Sequence, residues 1–133
     1  MSAAARSVLV FGLYMLGQGA VLVVAPNVLL GLVGVPPAQD AWVRVVGFAL
    51  GVLGTYYVQA ARHELTAFFR WTVPVRHVQF GFFCALVATG LASPMLLAFS
   101  AVELASGVWT ALALRRESAS QLHEASSGPR AGV

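Results

Sequence analysis

Four long apolar runs, separated by prolines or charged residues, dominate the chain. A helix rises about 1.5 Å per residue, so about 20 apolar residues cross the hydrocarbon core of a bilayer. The runs 7–25, 41–61, 74–92 and 94–114 meet that length, and each predicts a transmembrane helix. Their ends carry stop and start signals. Pro26-Asn27 closes the first, Asp40 is placed to cap the second, Pro74 suits a first helical turn, and Ser93-Pro94 makes the turn before the fourth. The pattern predicts an all-α fold: a four-transmembrane-helix bundle with short interfacial segments, formed by residues 1–116.

The connections differ in character. Asn27–Val35 is apolar but too short to span, and predicts an interfacial or re-entrant turn of helix. In Arg62–Val73, Leu65, Phe68, Phe69 and Thr72 follow helical spacing, which predicts a separate short helix in the headgroup zone. Residues 117–133 are rich in Ser, Ala and Gly and predict a disordered tail. The first run is longer than a signal-peptide core and lacks a clean cleavage site, so it is read as a retained helix.

Composition supports this reading. The chain is 59% hydrophobic and 10% charged, whereas a soluble domain is nearer 45–50% apolar and about 25% charged. All eight basic residues are Arg. Arg6, Arg62, Arg70, Arg76, Arg115 and Arg116 flank the first helix, the middle connection and the end of the fourth helix. With four spans these fall on one side, which the positive-inside rule makes cytoplasmic. The expected location is the bacterial inner (plasma) membrane, multi-pass, with both termini cytoplasmic. The net charge of +3 forms no basic patch with interleaved aromatics, so no nucleic-acid partner is expected. The expected partners are the lipid bilayer and a membrane-protein partner or second copy. The lone cysteine, Cys84, is read as a packing residue.

Small residues mark the faces that should meet. Helix two carries Gly47-x-x-x-Gly51 with Gly54 and Thr55, helix three Gly81, Cys84, Ala85 and Ala88, and helix four Ser100, Ser106, Gly107 and Thr110.

The candidate chemistry lies in the few polar residues of the runs. Glu103 falls about 13 Å below the outer boundary, Arg44 about 6 Å deep from the same side, and Gln18 about 16 Å from the inner boundary. These depths predict a buried cluster of Arg44, Glu103 and Gln18, with Tyr14 adjacent. Two roles stay open for it: an interhelical salt bridge that fixes pairing, or a ligand or proton site. A second group, Tyr56, Tyr57, Gln59, His63, Arg76, His77 and Gln79, is assigned to the cytoplasmic interface. There Arg62, Arg70, Arg76 and His77 are candidate lipid-headgroup contacts. No metal site is expected, because His63 and His77 have no third donor at ligand spacing. No cofactor motif or catalytic constellation is present, so an enzyme is not expected.

Arg44-x-x-Gly47, Gly54-x-Tyr56-Tyr57-x-x-Ala60-Ala61-Arg62 and Phe68-Phe69-x-x-Thr72-x-x-x-Arg76 resemble the small four-helix bacterial membrane proteins of the DoxX-like and BphX-like kind. The resemblance runs from helix two through helix four. It implies an accessory role near electron transfer and assigns no catalytic residue. The sequence thus favours a small membrane accessory or scaffold protein. The alternative is a small transporter or lipid/quinone-binding protein using Arg44 and Glu103.

Overall fold

A computed structural model describes residues 1–127. The described residues form five helices: α1 (Ala3–Val24), α2 (Pro26–Leu32), α3 (Trp42–Arg62), α4 (Thr66–Ala88) and α5 (Leu96–Ser127). Three of them, α1, α3 and α5, are long and apolar enough to cross a membrane. The fourth long helix, α4, has 23 residues but carries Arg70, Arg76 and His77 within it.

Helix ends follow from local hydrogen bonding. α1 starts earlier than expected because Ser2 caps it, its Oγ accepting from Ala5 N at 3.1 Å. Asp40 accepts from Trp42 N at 3.0 Å at the start of α3. Three helices end in the same way. The residue after the C-cap, Gly34, Glu64 or Gly90, has positive φ. That residue and its successor donate back to the last-turn carbonyls of Gly31 and Leu30, Ala61 and Ala60, or Val87 and Leu86. α4 therefore stops before Gly90 and does not reach residue 92. Glu64 alone adopts this geometry without being glycine (φ 53°), which disfavours it sterically. Its carboxylate is held by Ser2 N–H at 2.8 Å, and that donation keeps the carboxyl below the usual range.

Two expected boundaries are corrected. The separate headgroup helix before Pro74 does not exist, because α4 runs unbroken from Thr66 through Pro74. Pro74 lacks an N–H and so leaves the Arg70 carbonyl without its usual helical donor. Pro74 is exposed, and the helix continues past it. The second correction concerns the tail. Residues 117–127 extend α5 to 32 residues instead of being disordered, and 128–133 lie outside the described residues. Glu117 ties this extension to the rest, its Oε1 accepting from Ala4 N at 3.0 Å. Carboxylates from the α3–α4 turn and from α5 thus both meet the start of α1, where free amides and the helix dipole favour negative charge.

α1 is the central element. It packs most extensively on α3, α4 pairs with α5, and α1 also touches α2, α4 and α5. Glycine governs the α1–α3 approach. A Cβ at Gly19 would lie 2.7 Å from Gly47 O and 2.8 Å from Gly51 N, and one at Gly47 would lie 2.6 Å from the Leu22 Cβ. A heptad away, Gly12 and Gly54 repeat the arrangement, where a Cβ at Gly54 would lie 3.0 Å from Gly12 O. The sequence reading found Gly47 and Gly54 but missed Gly12 and Gly19. Gly81 departs from expectation. It meets nothing within 4 Å, and it, Ala85 and Ala88 are exposed, so this stripe is not an interior face. The apolar core (Ala4, Ala5, Val8, Phe11, Met15, Tyr57, Ala60, Ala61, Phe69 and Ala113) lies toward the end that holds Ser2, Glu64 and Glu117.

Candidate functional site

α4 and α5 run antiparallel and share two polar rungs. Arg76 Nη1 donates to Ser106 Oγ at 2.8 Å, and Gln79 Nε2 donates to Glu103 Oε2. In each helix the two residues are three apart and therefore share a face. A third, smaller contact joins α5 to α1, where the Ser7 and Thr110 hydroxyls lie 2.9 Å apart. One donates to the other, and the acceptor's own proton goes to its helix carbonyl, Ala4 O or Ser106 O.

Arg76 is the hub. It is only 2% exposed. Its Cζ lies 3.8 Å from the Phe11 ring centroid and 5.3 Å from that of Tyr57. These two rings meet edge-on at 5.4 Å, and Tyr57 meets Phe68 at 5.0 Å. One guanidinium from α4 therefore touches α1, α3 and α5. Its stem fits because Gly107 has no side chain: a Cβ there would lie 3.2 Å from Arg76 Cδ. Cation–π contacts of this kind are worth about 2 kcal/mol when desolvated. Arg76 Nε and Nη2 and the Ser100 Oγ are buried without a hydrogen-bond partner among the described residues. Nε and Nη2 form one edge of the guanidinium, the edge suited to a two-oxygen acceptor. Glu103 lies within electrostatic reach of Arg76 and Tyr14.

The expected cluster is only partly assembled. Arg44 does not meet Glu103. It is exposed, and its Nη1 donates to Val23 O and, at 3.3 Å, to Val24 O. It caps the C-terminus of α1, where freed carbonyls and the dipole favour a cation. Gln18 is half-buried and takes no part in the rungs. Tyr14 is near, its ring 5.9 Å from that of Phe11 and tilted by 33°. The headgroup assignment of Arg76 is corrected: the residue is buried in the interior. The error traces to Pro74. Taken as a first turn, it places Arg76 at a helix end, but from Thr66 the residue is about 15 Å along α4. Arg62 and Arg70 are exposed, and the exposed His77 folds back to Val73 O, with Nδ1 at 2.7 Å. Ser106 and Phe11 complete the site and were not anticipated in this role. The shared three-residue spacing of Arg76/Gln79 and Glu103/Ser106 was the signal that could have paired them.

A cleft of about 310 Å³ opens beside this hub, between α1 and α5, lined by Val10, Phe11, Tyr14, Val102, Ala105, Ser106 and Trp109. Among the described residues no three of His, Cys, Asp and Glu gather as metal ligands.

No protein-family model, curated protein or solved structure matches this chain. The functional reading therefore rests on the geometry of the polar hub and on the surfaces around it.

Proposed function

We propose that this is a small integral membrane accessory or scaffold protein, with α1, α3, α4 and α5 all spanning the bilayer and both termini cytoplasmic. The observation that carries the proposal is the inward placement of Arg76. With Arg76 bonded to Ser106 and Gln79 to Glu103, these two polar side chains of α4's middle are turned to the bundle interior, while the exposed His77 satisfies Nδ1 on Val73 O. Its outward positions Val75, Val78 and Phe82 are apolar and exposed. A helix of this kind is lipid-compatible even though its average composition is not strongly apolar, because buried charges are tolerated where protein groups pair them.

The accessory role is favoured by what the surface offers. Trp42, Val46 and Phe48 on α3 and Val78 on α4 are large, apolar and between 59% and 73% exposed. Such faces suit lipid or the helices of a larger complex. Two contacts of the polar hub, Arg76 to Ser106 and Gln79 to Glu103, hold α4 to α5, as a structural bolt would. The resemblance to DoxX-like and BphX-like proteins points the same way. A second reading, binding of a ligand with acceptor oxygens, is favoured by one observation, the unpartnered Nε/Nη2 edge of Arg76. Transport or lipid/quinone binding at a buried Arg44–Glu103 site is not proposed, because Arg44 is exposed and bonds Val23 O and Val24 O.

Purification from native membranes in mild detergent tests the accessory role. The expected result is a complex larger than one chain, with a stoichiometric partner membrane protein. A monodisperse single chain that keeps its helicity and stability alone contradicts it.

A further inference from the structure

We infer that the seam between α1 and α5 is a groove for one anionic phospholipid, with its phosphate at Arg116 and an acyl chain along Trp109 and Ala105. The inference rests on the membrane-spanning reading above. Three clefts follow one another along this seam. The first, of about 330 Å³, runs from Arg116 past Ala113 and Trp109 to Ala105. The second is the cleft beside the polar hub, which shares Trp109 and Ala105 with the first. The third, of about 270 Å³, shares Tyr14 and Val102 with the second and ends at Phe99 and Ala98. Small residues hollow out this line. Ala3 faces it from α1, and Ala98, Ala105 and Ala113 from α5. Between them Trp109 supplies an indole wall common to two clefts.

Charge and length select the occupant. Arg116 lines one end of the groove and is exposed. Its neighbour Glu117 is engaged with Ala4 N–H. The ion pair present among the described residues joins the Met1 amino group to Glu64 and leaves Arg116 out. A guanidinium without a carboxylate, beside Arg115 and at the arginine-rich end of the bundle, attracts phosphate. Ala105 is eleven residues from Arg116, which is about 16 Å along the helix. That is half of a hydrocarbon core of about 30 Å, the depth of one leaflet. A headgroup at Arg116 therefore brings its acyl chain past Ala113, Leu112 and Trp109 to Ala105, where the cleft beside the polar hub begins.

Native mass spectrometry of the full chain in mild detergent, titrated with phosphatidylglycerol or phosphatidylcholine, tests this. The wild type is expected to retain one phosphatidylglycerol with about a fivefold preference, the ratio one basic residue near an anionic lipid confers. Arg116→Gln is expected to abolish the preference, and Ala105→Leu to reduce retention of both lipids. Equal retention of the two lipids by the wild type overturns the inference, as does unchanged preference in Arg116→Gln or a dimer that excludes lipid. Should Ala105→Leu lose helicity by circular dichroism, the exposed Arg116→Gln decides alone. Release of the chain from membranes by alkaline extraction overturns the membrane reading itself, and the lipid inference with it. Retention in membranes without a phosphatidylglycerol adduct overturns the groove only.

Discussion

Gly19→Ala is expected to destabilise the protein by about 1–3 kcal/mol, the usual cost of overpacking a filled interface, whereas Gly51→Ala is expected to be neutral. The backbones of the two glycines meet at the same seam but only Gly19 points its missing side chain into it, so the contrast is informative. The new Cβ at position 19 would lie 2.7 Å from Gly47 O and 2.8 Å from Gly51 N. Both neighbours are backbone atoms of a helix and cannot swing aside. α1 and α3 would have to separate, loosening the Gly12–Gly54 contact a heptad away as well. At Gly51 the Cβ direction is open, with nothing within 4 Å. Gly47→Ala should match Gly19→Ala, because its Cβ would reach 2.6 Å from the Leu22 Cβ. Thermal unfolding in detergent, followed by helical circular dichroism, measures the difference. Equal midpoints for the position 19 and 51 variants would show that α1 and α3 do not approach this closely.

Arg76→Ala is expected to be the most damaging single change, at about 3–5 kcal/mol, the range for removing one partner from a buried charged cluster. It removes the bond to Ser106, the stacking on Phe11 and the stem that covers Gly107, and it leaves Glu103 without its nearby cation. Arg76→Met should recover much of the loss, since it refills the volume and buries no charge. Arg76→Ala combined with Glu103→Gln should cost less than the sum of the single changes, because the second change removes the carboxylate stranded by the first. Strict additivity in equilibrium unfolding would mean that Arg76 and Glu103 act independently, and the hub would not be a unit.

The extent to which this was readable from the sequence varied with the physics behind each feature. Apolar runs of spanning length marked out α1, α3 and α5, because hydropathy is a local property. Asp40 was visible as a residue of the α3 start, where it accepts from Trp42 N, although the N-cap position itself is Ala41. Pro74 misled, since proline usually starts or breaks a helix and here sits exposed within one. That one residue also misplaced Arg76, and with it the centre of the site. Glu103 was singled out as the polar residue to explain, but its partner, Gln79, could not be read from depth alone. Depth gives no rotation about the helix axis, and Arg44 is drawn to the nearer carbonyls of Val23 and Val24. Which glycines matter depended equally on rotation. Gly47 and Gly51 are indistinguishable as a motif, yet only the first points its missing side chain at α1. Residues 117–127 looked like a tail by composition, while the bond from Glu117 to Ala4 that fastens the extension spans most of the chain.

The central claim is that α4 crosses the bilayer with Thr72, Arg76 and Gln79 turned inward. A nitroxide scan of positions 70–82, in a variant with Cys84 replaced and reconstituted in vesicles, tests it most directly. Accessibility to oxygen, which concentrates in lipid, is expected to rise and fall with helical period. Positions 72, 76 and 79 should be shielded from both oxygen and a water-soluble quencher, and positions 75, 78 and 82 open to oxygen alone. Uniform access of the water-soluble quencher around the helix, with position 76 as open as position 75, would contradict the account and place α4 on the membrane surface.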